Sequence, residues 1–236
     1  MADRTIILHY HLFKNAGTSI DQILQKNFAD GWVTKEFPMA GGNNSAKVVE
    51  WINSEPDAVA FSSHTMVGPI PKIPGVRIVT LVMLRNPVSR VASAYRFERR
   101  QNVDAFGAVL ARHTTFEGYV HCRLALPSDR QCRNFQTSRL ATICPGPEPE
   151  LERACHGLEQ FDIVGQVERF DRARNRIRDV LKAHFPAFQM HDIHKNQSAQ
   201  AGEDMSDEVR TVLHKNNRND FALLSHFNEL LSEDVL

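Results

Sequence analysis

A strand, a tight turn and a helix follow one another near the start of the chain, and this succession restricts the fold more than any other stretch. Residues 6–12 are rich in apolar and β-favouring types, which predict a short buried strand. Ile20, Ile23 and Leu24 recur at helical spacing and predict a helix directly after the turn. The succession is compatible with an α/β fold that places a strand-to-helix turn at the edge of a sheet.

The turn itself, Phe13–Ser19, carries Lys14, Gly17, Thr18 and Ser19. Backbone N–H groups at such a turn, together with the positive end of the helix dipole, form an anion site. Lys14 adds a positive charge, and the two hydroxyls add donors. The pattern is not a Walker A motif, because the lysine precedes the glycine by three residues. The alternative is an ordinary turn in which Thr18 and Ser19 serve as helix caps.

A second feature lies at the end of the strongest predicted strand, residues 76–84. This run is nearly all apolar, as expected for a strand covered on both faces of a parallel sheet. Arg85 follows it directly, Pro87 fits the first turn of a helix, and Ser93 lies eight residues after Arg85. Open α/β sheets bind ligands at the carboxyl ends of their strands, so Arg85 is a candidate ligand contact.

Composition excludes some classes and leaves others open. The 236 residues are 42% apolar and 24% charged, and 28 basic residues balance 28 acidic ones, so net charge gives no argument for nucleic acid. No run approaches the roughly 18 apolar residues that span a bilayer. No apolar leader precedes the first strand, so we expect a cytoplasmic protein, or else a catalytic domain of a longer anchored one.

The remaining pattern predicts a single domain over 1–236 with a mainly helical insertion at about 103–160. No cluster has metal-ligand spacing, and the four cysteines form no C-x-x-C pair, so we expect no metal. The default for these cysteines is free thiols, with a disulfide left open; they are Cys122, Cys132, Cys144 and Cys155. A polar stretch at 186–205, with Lys195 and Asn196, predicts a long loop that covers a site.

Two motifs together resemble the phosphate-binding elements of sulfotransferases that use 3′-phosphoadenosine 5′-phosphosulfate (PAPS). They are Lys14-Asn15-Ala16-Gly17-Thr18-Ser19 and the pair Arg85 and Ser93. In that family the first loop holds the 5′-phosphosulfate, and the arginine and serine hold the 3′-phosphate. Residues 84–95 resemble the carbohydrate sulfotransferases, and residues 162–168 resemble the uronyl 2-O-sulfotransferase-like group. The resemblance spans most of the chain and is thinnest at 25–56 and 103–160.

The resemblance implies a three-layer, P-loop-like α/β fold with a central parallel sheet flanked by helices. It also implies transfer of a sulfuryl group from PAPS to a hydroxyl of a carbohydrate or glycoconjugate, without a metal. Such a transfer is an in-line displacement that needs a base on one side and positive donors on the other. Lys14 and the loop N–H groups are the predicted donors to the leaving phosphate.

His64 is the predicted base, because the uronyl 2-O-sulfotransferase-like group carries its catalytic histidine at the matching place, after a strand. The intrinsic pKa of histidine suits a base near neutral pH. A glutamate base, used in other sulfotransferases, is the alternative. Arg139 resembles the acceptor-side polar segment of the same group and is predicted to contact an acidic sugar; a packed helix terminus explains it equally well.

Two other functions compete with sulfotransfer. One is a nucleotide or small-molecule kinase with a degenerate P-loop. Two features count against it: the Walker A spacing is absent, and no clear acidic partner could hold Mg²⁺. The other is a non-catalytic module that binds a nucleotide or a glycan on the same fold. The presence of Lys14, Arg85, Ser93 and a candidate base counts against the second. The acceptor and the oligomeric state leave no signal in the sequence.

Overall fold

Residues 4–39, 41–192 and 205–233 are described by a computed structural model, in which the chain folds into two units. The sheet unit extends to Leu84 and resumes at Arg139. The helical unit comprises Arg85–Ser138 and the C-terminal helices. Lys195, Asn196 and much of the loop predicted at 186–205 lie outside the described residues.

The sheet unit is built on five parallel strands in the order β2-β3-β1-β4-β5. Their bounds are β1 Arg4–Tyr10, β2 Trp32–Thr34, β3 Ala60–Ser63, β4 Val76–Leu84 and β5 Ile163–Gln166. The central strands are buried and rich in β-branched and other apolar side chains, as strands covered on both faces must be. The predicted central parallel sheet is therefore confirmed.

Four helices belong to the sheet unit: α1 Gly17–Phe28, α2 Ser45–Ser54, α7 Glu150–Glu159 and α8 Phe170–His184. The helical unit contains α3 Pro87–Arg99, α4 Phe106–His113, α5 Phe116–Ala125, α9 Asp207–Asn216 and α10 Arg218–Glu233. The short helix α6, Phe135–Leu140, includes the boundary between the two units. Two 3₁₀ turns, Ala29–Gly31 and Val167–Arg169, complete the described elements.

Helices cover the sheet on both faces, which gives the three layers predicted from the resemblance. On one face the apolar stripes of α1 and α8 pack against β1, β3, β4 and β5 in one buried cluster. On the other face Trp51 of α2 meets Phe61 of β3 edge to face, with ring centroids 4.9 Å apart. Alternation along β1 divides its side chains between the faces, so Ile7 and His9 point to the α1 side.

The helical unit has its own core, in which α3, α4, α5 and α9 pack around Tyr95 and Tyr119. The helix starts agree with their sequence signals. Asn86 caps α3 by accepting hydrogen bonds from two backbone N–H groups, and Pro87 occupies the first turn. Ser206 caps α9 through the N–H of Val209.

Two boundaries differ from the sequence expectation. The first strand ends at Tyr10 rather than at residue 12, because the chain turns where β3 stops pairing with it. Residues 25–56, where the resemblance is thinnest, contain β2, whose three residues are too few to show an alternating pattern. The single-domain organisation stays a prediction. In the described ranges no helix combines the length and apolarity required to cross a bilayer.

Candidate active site

Three polar side chains stand in a row where β1, β3 and β2 end, and the strand register explains why. Tyr10 of β1 pairs with Ser63 of β3, so the next residues, His11 and His64, come side by side. Thr34 of β2 pairs with Ser62, which carries the row on to Glu36 beside His64. The carboxyl ends of parallel strands are where α/β sheets bind ligands, so this edge is the natural place for a site.

The predicted anion loop follows β1 at the same edge of the sheet. Lys14 and Ala16 both adopt left-handed backbone angles, with φ of 65° and 61°, and the chain then enters α1 at Gly17. Such alternating conformations turn successive N–H groups toward one side and create a concave anion site. The N-cap is Ala16 and no side chain caps the helix, so Thr18 and Ser19 do not act as caps.

Asn15 fixes the loop to the sheet. Its side chain is 1% exposed, and its Nδ2 donates to the main-chain carbonyl of Met83 in β4 at 2.7 Å. The loop N–H of Asn15 donates to the carbonyl of Leu12 at 3.1 Å. The loop is therefore pinned at its centre, while Lys14 is half-buried and Thr18 is exposed.

Gly17 is required by its neighbour rather than by its backbone angle. A Cβ built at this position would lie 1.9 Å from Cδ2 and 2.0 Å from Nε2 of His11, far inside van der Waals contact. The backbone of Gly17 is helical, so the absence of a side chain serves close packing. The His11 ring thus lies directly beneath the start of α1.

A half-buried carboxylate, Asp21 of α1, organises the histidines beneath the loop. Its two oxygens lie 2.9 Å from Nδ1 of His9 and 2.9 Å from Nδ1 of His11, and the Ser62 hydroxyl donates to it at 2.6 Å. Burial raises the pKa of Asp21, but hydrogen bonds from His11 and His9 outweigh burial and hold it well below its usual range. Burial lowers the pKa of His11, so this imidazole is neutral at pH 7.

His64 forms a second histidine–carboxylate pair with Glu36, and this pair is open to solvent. Nδ1 of His64 lies 2.8 Å from Oε1 of Glu36, and the side chains are 46% and 51% exposed. The Thr65 hydroxyl donates to the other carboxylate oxygen at 2.7 Å. Burial raises the pKa of Glu36, but the hydrogen bonds from Thr65 and His64 lower it by more. The net pKa of Glu36 is therefore lowered, and the carboxyl is ionised at neutral pH.

Arg139 braces the segment that carries His64. Its guanidinium donates to the carbonyl oxygens of His64 and Met66 and approaches the sulfur of Met39. Burial lowers the pKa of Arg139 to about 10, so it stays charged at neutral pH. These contacts assign Arg139 a structural function, and its predicted contact with an acceptor sugar stays a prediction.

Within the helical unit, an amide side chain holds the main chain of Arg85. Oε1 of Gln136 accepts from the Arg85 N–H, and Nε2 donates to the Arg85 carbonyl, both at 2.8 Å. Gln136 is in turn held by Asp220, which accepts from its N–H at 3.2 Å and is fully buried. Ser93 is buried on α3. Arg85 therefore has a backbone fixed by side chains from two other segments.

A metal is a possible occupant of the cluster beneath the loop. One ligand atom from each of His9, His11 and Asp21 lies within 4.8 Å of the others. However, both Nδ1 atoms already lie at hydrogen-bond distance from the carboxylate. The donor set fits a hydrogen-bond network better than a metal site.

Comparison with known proteins decides the family. A family model described as "Sulfotransferase family" matches residues 1–227. The chain belongs to the sulfotransferase family. It is also 39% identical over 223 residues to an uncharacterised protein of Archaeoglobus fulgidus, with 91% of this chain and 87% of the relative covered. Family membership supports sulfotransfer as the activity and implies an acceptor of unknown kind.

In this sulfotransferase the sheet unit holds His64, Arg139 and the whole anion loop, and the helical unit holds Arg85 and Ser93. Sequence reasoning did not find Asp21, Glu36 or the position of His11. The sequence did contain a hint for Asp21, because a residue four positions after Gly17 lies on the same face of the helix. Glu36 gave none, because it follows a strand of three residues.

Proposed function

We propose that this protein transfers a sulfuryl group from PAPS to a hydroxyl of a carbohydrate or glycoconjugate, with His64 as the base. The observation that carries the proposal is that one residue, His11, contacts both the anion loop and His64. His11 packs against Gly17 of the anion loop, and its ring also meets the ring of His64, with centroids 3.8 Å apart and planes tilted by 33°. The proposed base therefore lies one ring away from the predicted anion loop.

The reaction needs a proton acceptor and a stabilised leaving group. The acceptor oxygen attacks sulfur as its proton passes to His64, and the bond between sulfur and the phosphate oxygen breaks to release 3′-phosphoadenosine 5′-phosphate (PAP). Lys14, Thr18, Ser19 and the loop N–H groups take up the charge that develops on the phosphate. A positioned base of this kind contributes roughly 10²–10⁴-fold in rate.

The 3′-phosphate has its own proposed contacts in the helical unit. We assign it to Arg85 and Ser93, as the family resemblance implies. The double hydrogen bond from Gln136 supports this assignment, because a fixed main chain preorganises the Arg85 side chain for a bidentate grip. Ala16 would serve the phosphosulfate through the loop backbone, and Asn15 would serve it by holding the loop to the sheet.

The acceptor class rests on the segments 84–95 and 162–168 that resemble carbohydrate sulfotransferases. A balance of 28 basic and 28 acidic residues does not favour a heavily sulfated polymer, which would require a broad basic cleft. We therefore propose a neutral or lightly charged sugar hydroxyl as the acceptor. A cytoplasmic location stays a prediction.

Nucleotide titrations by calorimetry test the donor. We expect PAP to bind more tightly than adenosine 5′-monophosphate (AMP), and Arg85→Ala to remove most of that difference while AMP affinity stays unchanged. Lys14→Ala should weaken both, because the 5′-phosphate is common to them. Binding of ATP with Mg²⁺ in preference to PAP would support a kinase instead and overturn the proposal.

Turnover tests the base. His64→Ala should lower turnover of PAPS with a panel of neutral and uronate-bearing oligosaccharides by about 10²-fold or more, with PAP affinity nearly unchanged. His121→Ala, at an exposed histidine of α5, is the matched control and should keep wild-type turnover. PAP binding without turnover on any acceptor would favour a non-catalytic binding module.

A further inference from the structure

The His11 ring is enclosed on several sides and is almost entirely shielded from solvent. It is 6% exposed, its edge meets the position where Gly17 would carry a Cβ, and its face meets the His64 ring. A group so enclosed has no route to an acceptor hydroxyl. Its contacts instead set the distance between the anion loop and His64.

Asp21 fixes the orientation of that ring. The carboxylate oxygen lies 2.9 Å from Nδ1, and the same carboxylate is held from the other side by His9 and Ser62. Since Asp21 is ionised, the proton of the neutral His11 resides on Nδ1, and the ring can neither flip nor slide without losing this bond. His11 is thus a rigid spacer rather than a mobile side chain.

Glu36 determines which nitrogen of His64 can accept a proton. Its Oε1 faces Nδ1 at 2.8 Å and also accepts the backbone N–H of His64 at 3.2 Å. A carboxylate at Nδ1 selects the tautomer with hydrogen on Nδ1, which leaves a lone pair on Nε2. Among the described residues, the charged and titratable groups that face His64 are Glu36 just after β2, His11 just after β1 and, at its carbonyl, Arg139 of α6.

We propose that Glu36 and His11 are positioning residues for His64. Glu36 makes Nε2 the atom that takes the acceptor's proton, and His11, braced by Asp21, holds the His64 ring at a fixed distance from the anion loop. This inference rests on the proposed function, and it adds two residues that the sequence motifs do not contain. Asp21 thus orients His11, and His11 and Glu36 together position His64.

The tautomer is measured directly by long-range ¹H–¹⁵N correlation of the histidine side chains, which needs neither substrate nor turnover. We expect His64 in the wild-type protein to carry its hydrogen on Nδ1 at a pH where the ring is neutral. Glu36→Gln should lose this preference, and it is expected to fold because Glu36 is half exposed. A neutral His64 with hydrogen on Nε2 in the wild-type protein would overturn the role of Glu36.

A matched pair of variants isolates the His11 ring. In His11→Asn the amide can still donate to Asp21, but the ring that meets Gly17 and His64 is gone. His121→Asn makes the same change at an exposed histidine of α5, outside this network. With PAPS and an oligosaccharide from the panel, we expect His11→Asn to lower kcat about 10- to 100-fold while KM for PAPS changes less than about threefold. His121→Asn should keep kcat within about threefold.

A PAP titration provides the readout that does not depend on activity. In the wild-type protein and in His121→Asn, PAP should shift the His64 side-chain signals, because the loop acts on His64 through the His11 ring. In His11→Asn that shift should vanish although PAP still binds. An unchanged shift together with wild-type kcat in His11→Asn would overturn the proposal. Absence of PAP binding to the wild-type protein would instead sink the proposed function, and the tautomer of His64 would still decide the role of Glu36.

Discussion

The imidazole rings of His11 and His64 lie with their centroids 3.8 Å apart, at the carboxyl ends of two adjacent parallel strands. Their partners differ, because the carboxylate of His11 is buried in α1 and that of His64 follows β2 in the open. The first pair is mostly enclosed, whereas the second is open to solvent. One strand register produces both.

Gly17→Ala should destabilise the protein by about 1–3 kcal/mol, because its Cβ would overlap the His11 ring and force either the ring or the start of α1 to move. Chemical denaturation of the two proteins measures the difference. The double variant with His11→Asn should recover part of the loss, and we expect a coupling energy of about 1 kcal/mol or more.

Gly31→Ala is the control for that substitution. The nearest atom to a Cβ at position 31 is 3.6 Å away, which is ordinary contact, so we expect a change within about 0.5 kcal/mol. Strictly additive effects of Gly17→Ala and His11→Asn would show that the glycine is not required by the ring.

Asp21→Asn should cost about 1–3 kcal/mol at pH 7, because it breaks a largely buried hydrogen-bond network that joins two histidines and a serine. The pKa of Asp21 is lowered in the folded state, so its contribution is present above the unfolded value of about 3.9 and disappears as pH falls through the folded value. The difference in unfolding free energy between the two proteins should therefore be largest near neutral pH and shrink below about pH 4.

Asp30→Asn supplies the comparison, because Asp30 is exposed on a 3₁₀ turn of the same unit. Its unfolding free energy should follow that of the wild-type protein at every pH. If Asp21→Asn and the wild-type protein differ by a constant amount down to pH 3, the ionised carboxylate is not the source of the stability.

Much of the sheet unit could be predicted, because its central strands are long and apolar enough to show their character. The strand predicted at 76–84 is β4 residue for residue, and Pro87 opens the helix as its fixed φ requires. The anion loop could be recognised because lysine, glycine and hydroxyls fall between a strand and a helix.

The partners of the predicted base could not be found in this way. Glu36 reaches His64 only because β2 pairs with β3, and a pairing between strands 26 residues apart leaves no trace in local periodicity. His11 falls within the strand predicted at residues 6–12, which gives it no functional signal. That it packs on Gly17 depends on where α1 turns back, which is set by tertiary contacts.

Two buried tyrosines of the helical unit donate hydrogen bonds to oxygens of different charge, so we expect the loss of each hydroxyl to cost a different amount of stability. The Tyr119 hydroxyl donates to the carboxylate of Glu98 at 2.6 Å, and the Tyr95 hydroxyl donates to the neutral carbonyl of Thr114 at 2.9 Å. Charge-assisted bonds are the stronger class, so Tyr119→Phe should cost about 1.5–3 kcal/mol and Tyr95→Phe about 0.5–1.5 kcal/mol. Denaturation midpoints of the two variants in parallel measure this, and an equal or reversed order would contradict it.

Gln136→Met tests whether the Arg85 main chain is preorganised for a 3′-phosphate. The substitution keeps the length of the side chain and removes both 2.8 Å hydrogen bonds to Arg85. Because Arg85 itself is retained, the charge that attracts the nucleotide is unchanged and only its placement is loosened. We expect PAP affinity to fall about 10-fold, equivalent to about 1.4 kcal/mol, while AMP affinity stays the same.

Gln131→Met, which removes an amide that contacts Arg90 in the same unit, separates this effect from general loosening of the helices. It should leave the ratio of PAP to AMP affinity unchanged even if it lowers stability. An equal loss of PAP and AMP affinity in Gln136→Met would mean that the amide supports the fold as a whole. A selective loss of PAP affinity would link Gln136 to the 3′-phosphate through Arg85, because AMP lacks only that group.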